Sequence, residues 1–165
     1  METVTNVKIC GITNLDDALA ACDAGADALG FVFAPEARKR NRYIAPDDAR
    51  TIITQLPPFV TTVAVCVNEP VERLLEFLTF VDRVQLHGEE SIEVCRAVAP
   101  RAIKAFRAGP DFDPRTMLDY PAAAYLLDAQ VPGERGGTGE TCDWDAARQV
   151  AALGRPLILE IGRAS

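Results

Sequence analysis

Short apolar runs rich in β-branched and aromatic residues alternate with amphipathic stretches along the whole of this 165-residue chain. Strands separated by helix-length crossovers must run parallel, so this alternation reads as successive βα units of an α/β protein. Strands are expected at residues 6–10, 28–33, 61–67, 83–86, 102–106, 123–127 and 157–161. Helices are expected at about residues 15–24, 46–56, 89–98, 113–118 and 143–153, with one more entered through Asn68-Glu69-Pro70 and ending near Phe80. Thr13 or Asn14 caps the first helix and Gly25 stops it. In the helix after Pro70, Val71, Leu74, Leu75 and Leu78 fall on one face. A long polar segment, residues 34–44, follows the second strand, and connections of that length are usually functional.

Composition narrows the function classes. With 48% hydrophobic and 25% charged residues the chain has the makings of one ordinary globular domain. A net charge of -7 argues against a general nucleic-acid or anionic-membrane binder, since neutralising phosphates needs a Lys/Arg surplus. No apolar run approaches the roughly 18 to 20 residues of a membrane span, and the start lacks a signal-peptide layout, so a cytoplasmic location is expected. Cys10, Cys22, Cys66, Cys95 and Cys142 are odd in number and scattered, which supports neither a disulfide framework nor a metal site.

Seven strands and six helices with polar residues at the strand ends are most of a (β/α)8 barrel, whose active sites occupy the C-terminal face of the strands. A doubly wound sheet is the second architecture that fits. Complete barrels run to about 250 residues and rarely below about 200, so seven units rather than eight fit this length.

Chemistry-bearing residues cluster at those strand ends. Lys8 and Cys10 share a strand face, and an ammonium beside a thiol favours a thiolate able to take a proton; a plainly buried cysteine is the alternative. Asp128 follows the apolar strand 123–127, where a carboxyl group can serve as general acid or, more plainly, as a turn residue. His87, the only histidine, ends Val84-Gln85-Leu86-His87-Gly88 with Gln85 on its face, and suits either substrate hydrogen bonding or a backbone-satisfied strand end. Within Arg38-Lys39-Arg40-Asn41-Arg42, Arg42 beside Tyr43 is the best-placed partner for a carboxylate or phosphate. Gly136-Gly137-Thr138-Gly139 fits an anion-approaching loop or a flexible lid equally.

Several motifs occur in a telling order: Lys8-Ile9-Cys10-Gly11-Ile12-Thr13, Ala24-Gly25-Ala26-Asp27, Leu29-Gly30-Phe31-Val32-Phe33, Arg42-Tyr43-Ile44, and Val84-Gln85-Leu86-His87-Gly88-Glu89. Ile103-Lys104-Ala105-Phe106, Leu127-Asp128, the glycine-rich stretch and Trp144 continue it. Together they resemble phosphoribosylanthranilate isomerase over about residues 6–159. That resemblance implies a (β/α)8 barrel of tryptophan biosynthesis. It implies an Amadori rearrangement of N-(5'-phosphoribosyl)anthranilate to 1-(2-carboxyphenylamino)-1-deoxyribulose 5-phosphate, with no cofactor and no metal. It further implies Cys10 as general base, Asp128 as general acid, and Arg42 and His87 as substrate-binding residues.

After Leu157-Ile158-Leu159 the family pattern would continue with Ala-Gly-Gly-Leu and further units, whereas residues 160–165 read Glu-Ile-Gly-Arg-Ala-Ser. The expectation is therefore a C-terminally truncated isomerase, impaired by loss of the phosphate-binding loops after strands seven and eight, that covers its open sheet edges as a homodimer or larger. The competing expectations are an inactive, self-associating subdomain of that enzyme and, more weakly, another sugar-phosphate barrel enzyme such as a ribulose-phosphate epimerase.

Overall fold

Each apolar run of the sequence becomes a strand, and the polar residues flanking it decide where that strand starts and stops. The computed structural model describes residues 5–109, 111–129 and 144–160, which divide at Val84 and Gln85 into two compact units. The first carries β1 (Lys8–Cys10), α1 (Leu15–Asp23), β2 (Ala28–Val32), α2 (Pro46–Ile53), β3 (Thr61–Cys66) and α3 (Val71–Phe77). Strand β4 (Arg83–Leu86) straddles the division. The second unit carries α4 (Ile92–Val98), β5 (Ala102–Ala108), β6 (Ala124–Ala129), α5 (Trp144–Ala151) and β7 (Leu157–Leu159).

In the first unit β1, β2 and β3 pair in parallel, with Cys10 opposite Gly30 and Gly30 opposite Val63. Strand β3 is buried along almost its whole length, as a parallel strand covered on both faces should be. Asn14 caps α1 by accepting a hydrogen bond from the Asp17 amide at 2.8 Å, and the helix gives way to Gly25 at φ +92°, a conformation that favours glycine. Aspartates ahead of two strands fix the approaching chain. Asp27 accepts from the Val7 amide at 2.7 Å, and Asp82 accepts from the Thr62 amide at 2.7 Å and its hydroxyl at 2.8 Å.

In the second unit β5, β6 and β7 pair in parallel, with Lys104 opposite Tyr125 and Leu126 opposite Ile158. The Glu160 amide donates to the Leu127 carbonyl at 3.0 Å, so pairing extends one residue past β7. Tyr125, Leu126 and Leu127 are fully buried and, with Met117 and Val150, form the apolar filling of this unit.

Beyond shifts of a few residues in element ends, such as α2 ending at Ile53 and β5 running on to Ala108, the structure departs from the sequence expectation in four places. Five of the six predicted helices are α-helical, but Pro114–Asp119 is a 3-10 helix, opened by the Asp113 side chain accepting from the Arg115 amide. The segment expected as a polar loop holds another 3-10 helix, Pro35–Arg40, opened by its proline and closed by Asn41 at φ +53°. Helix α4 starts three residues later than expected because Glu90 is drawn into a buried ion pair, leaving Ser91 as the cap. On α3, Phe77 rather than Leu75 faces the core: Phe77 meets Phe33 edge-on at 4.8 Å, while Leu75 is 49% exposed.

Candidate active site

Cys10 is the last residue of β1. Ile9 before it is largely exposed, so Lys8 and Cys10 share the opposite, more covered face, as alternation requires. The cysteine packs against Val32, Ala34 and Val65. Directly across the ladder stands Gly30, where a Cβ would lie 2.8 Å from the Cys10 sulfur and 3.2 Å from its Cα. Any side chain there would push the thiol aside, so glycine is what lets the sulfur lie over β2. Nζ of Lys8 is buried and has no hydrogen-bond partner among the described residues.

Arg42 joins this cluster from the far end of the polar segment. Its Nη2 donates to the Cys10 carbonyl at 3.1 Å, and its guanidinium crosses the bare backbone of Gly11, where a Cβ would come within 2.6 Å of Nε. Gly11 has φ +94°, so geometry and clearance both call for glycine. Of its cationic neighbours, Arg38 instead stacks over the Tyr43 ring at 4.3 Å.

A second constellation lies wholly in the second unit. Asp128 on β6 is 2% exposed, and its Oδ2 is 3.2 Å from Nε2 of His87. On the other side of that ring, Nε2 of Gln85 donates to Nδ1 at 2.8 Å. Gln85, His87 and Asp128 thus form a continuous buried line of polar groups.

Beside it lies a cavity of about 310 Å³ lined by His87, Glu90, Lys104, Arg107 and Tyr120 among others. Lys104 is 3% exposed, yet fully engaged: Nζ donates to Glu90 Oε2 at 2.9 Å and to the carbonyls of Gly88 and Leu86 at 2.9 and 3.3 Å. Glu90 also accepts from the Gly88 amide with both oxygens, so the buried charges are paired and hydrogen-bonded, the condition under which such a pair is tolerated. Arg107 donates to the His87 carbonyl at 3.2 Å and meets Glu89 at 3.3 Å. Burial, followed by the negative charge around Cys95 and Glu90, pushes the Tyr120 phenol above its ordinary range.

The four residues singled out in sequence therefore fall into two groups, Cys10 with Arg42 in the first unit and His87 with Asp128 in the second. Gly136-Gly137-Thr138-Gly139, Cys142 and residues 161–165 lie outside the described residues. Sequence reasoning missed the Lys104–Glu90 pair, although a lysine inside the apolar run 102–106 has to find an acid once that run is buried. It placed Gln85 on the face of His87 but gave it no task.

The family model for N-(5'-phosphoribosyl)anthranilate isomerase matches residues 7–159, through both units. The N-(5'-phosphoribosyl)anthranilate isomerase of Pelobacter propionicus is 50% identical over 151 residues, covering 90% of this chain and 71% of the relative. The crystal structure of the Thermotoga maritima phosphoribosylanthranilate isomerase has 43% identity and a TM-score of 0.83, covering 97% of this chain and 78% of that one. A second Thermotoga maritima structure, 38% identical with a TM-score of 0.74, is of monomers generated from a dimeric phosphoribosylanthranilate isomerase. A phosphoribosylanthranilate isomerase in complex with reduced 1-(o-carboxyphenylamino)-1-deoxyribulose 5-phosphate is 41% identical with a TM-score of 0.77, covering 94% of this chain and 75% of that one.

Proposed function

From the premise that this chain belongs to the N-(5'-phosphoribosyl)anthranilate isomerase family, with its (β/α)8-type α/β fold, we propose the rearrangement that it performs and the residues that perform it. The activity is the isomerisation of N-(5'-phosphoribosyl)anthranilate in tryptophan biosynthesis. Asp128 protonates the furanose ring oxygen, the C1'–O bond breaks, and the nitrogen lone pair forms an iminium. Cys10 then takes the C2' proton, and the electrons of that C–H bond make the enolamine, which tautomerises to the ketone. Arg42 holds the anthranilate end through its planar fork of donors to the carboxylate, and His87, whose two ring nitrogens are taken by Gln85 and Asp128, borders the substrate with the carbon edge or face of its ring.

The observation that carries this reading is the burial of Asp128 at the end of β6, facing a histidine ring in a continuous polar line. For Cys10, support comes from the bare Gly30 backbone beneath the sulfur and from Lys8 on the same strand face. The test follows the fluorescence decay of phosphoribosylanthranilate, corrected for spontaneous hydrolysis. Asp128→Asn and Cys10→Ala should each lower kcat by about 10²–10⁴-fold. Either variant retaining wild-type turnover refutes its assignment.

Two coarser properties accompany this reading. The substrate is a phosphorylated small molecule, the class bound in the complexed relative. A cytoplasmic location is proposed from membership of a biosynthetic enzyme family, and no helix among the described residues is long and apolar enough to cross a membrane. We also infer a homodimer or larger: Val7 and Ile9 are 48% and 43% exposed beside the β1 ladder, and the Thermotoga maritima relative is described as dimeric. Sedimentation at micromolar concentration should give at least twice the chain mass, and a monodisperse monomer refutes it.

A further inference from the structure

Gln85 on β4 and His87, the residue just past the strand, lie two residues apart on one face if the alternation continues, and both are buried, at 1% and 8% exposure. An amide nitrogen can only donate a hydrogen bond. The 2.8 Å contact from Gln85 Nε2 therefore requires a lone pair on Nδ1 of His87, and the single proton of a neutral imidazole must sit on Nε2. That proton faces Oδ2 of Asp128 at 3.2 Å. We propose that Gln85 is a positioning residue: it fixes His87 as the Nε2–H tautomer, so that a neutral ring presents a hydrogen-bond donor to Asp128.

The remaining end of the amide supports this assignment. Oε1 of Gln85 is buried and has no hydrogen-bond partner among the described residues. A buried amide usually satisfies both ends, because an orphaned carbonyl costs free energy. Among the described residues only the nitrogen end of the amide is paired, and its partner is the imidazole.

The two possible arrangements also differ at Asp128. With the amide reversed, Oε1 would accept from an Nδ1–H and the Nε2 lone pair would face the Asp128 oxygen. That pairing is satisfied only when Asp128 carries a proton. With the amide as found, Nε2–H donates to the carboxylate. Gln85 thus selects the ring form that stabilises Asp128 after its proton has gone to the substrate. The consequence for catalysis rests on the reading of Asp128 as general acid; the tautomer itself does not.

Because His87 is the only histidine, the ring nitrogens of the whole protein give one pair of ¹⁵N resonances. Long-range ¹⁵N–¹H correlation spectra of uniformly labelled protein at a pH where the ring is neutral should show a protonated Nε2 and an unprotonated Nδ1. Gln85→Glu, whose carboxylate accepts, should move the proton to Nδ1. Gln85→Met, of similar length with no polar end, should give a mixture of tautomers and lower kcat by about 10–100-fold with little change in KM, the scale on which metal-bound histidines lose activity when their outer hydrogen-bond partner is removed.

An Nδ1–H ring in the wild-type protein overturns the proposal without need of any variant. So does a Gln85→Met protein with an unshifted tautomer, or one with a scrambled tautomer and undiminished kcat. The Asp128→Asn turnover measurement stands apart from these spectra. If that variant is fully active while the ring behaves as described, the acid role of Asp128 falls and the tautomer assignment stands.

Discussion

Gly30→Ala is a one-methyl perturbation whose outcome depends on where the Cys10 sulfur lies. The added Cβ would sit 2.8 Å from Sγ and 3.2 Å from both Cα and Cβ of Cys10. Carbon contacts are comfortable at about 3.5–4.0 Å, so the thiol has to retreat by roughly 1 Å. Rotation about χ1 can move the sulfur, but the backbone cannot follow, because β1 is tied to β2 through the Cys10–Gly30 register and the Gly11 and Ile12 amides both donate to the Gly30 carbonyl. Overpacking of this kind costs about 1–3 kcal/mol, which for a chain of this size lowers Tm by about 2–12 °C. A catalytic group displaced by about 1 Å can cost on the order of 10²-fold in rate. The expectation is therefore a folded protein with kcat/KM for phosphoribosylanthranilate down about 100-fold, measured by fluorescence decay beside a thermal melt. Adding Cys10→Ala to Gly30→Ala should recover part of the lost Tm, since the atom most severely struck is gone. If Gly30→Ala keeps its Tm within a degree and its kcat/KM within twofold, the placement of the sulfur over β2 has no bearing on catalysis.

Three further outcomes are expected. Gly11→Ala combines a φ of +94° with a Cβ 2.6 Å from the Arg42 Nε, so it should dislodge the guanidinium and raise KM more than it lowers kcat; an unchanged KM would show that Arg42 does not hold substrate. Glu90→Gln strands the Lys104 charge and should cost about 3–5 kcal/mol in urea unfolding, whereas the double change with Lys104→Met should recover most of it; a single variant within 1 kcal/mol of wild type would contradict the pairing. Burial, chiefly, pushes the thiol of Cys95 above its ordinary 9.0 and the phenols of Tyr120 and Tyr125 above their ordinary 10.0. The folded chain then binds more protons than the unfolded one at alkaline pH, so stability should be intact below about pH 9 and fall as pH rises beyond it; a urea midpoint that holds or rises from pH 9 to 10.5 would refute this.

Much of the architecture is local in origin and was therefore legible in the residues. Strand β4 spans residues 83–86 as the alternation of the sequence predicts, and Asn14 caps α1 because an asparagine ahead of an acidic first turn has few better uses. The period-two alternation that put Lys8 with Cys10, and Gln85 with His87, follows from strand geometry alone. Motif order carried the family and pointed to the four residues proposed for the site.

Tertiary structure decided what those residues touch. No local rule pairs Lys104 with Glu90, since the two are brought together only when β5 is laid beside the turn after β4; the same pairing then delays α4 to Ile92. Nor does propensity choose Phe77 over Leu75 for the core, because both lie near the apolar stripe of α3 and the aromatic rings of Phe33 and Phe80 settle the matter. Glycine at position 30 reads in sequence as a weak strand residue, and only the register across from Cys10 shows that it clears room for a sulfur. Sequence fixes what each segment can become through short-range sterics and hydrogen bonding. Which distant groups meet, and so which tautomer His87 adopts, follows from the three-dimensional packing that closes those segments on one another.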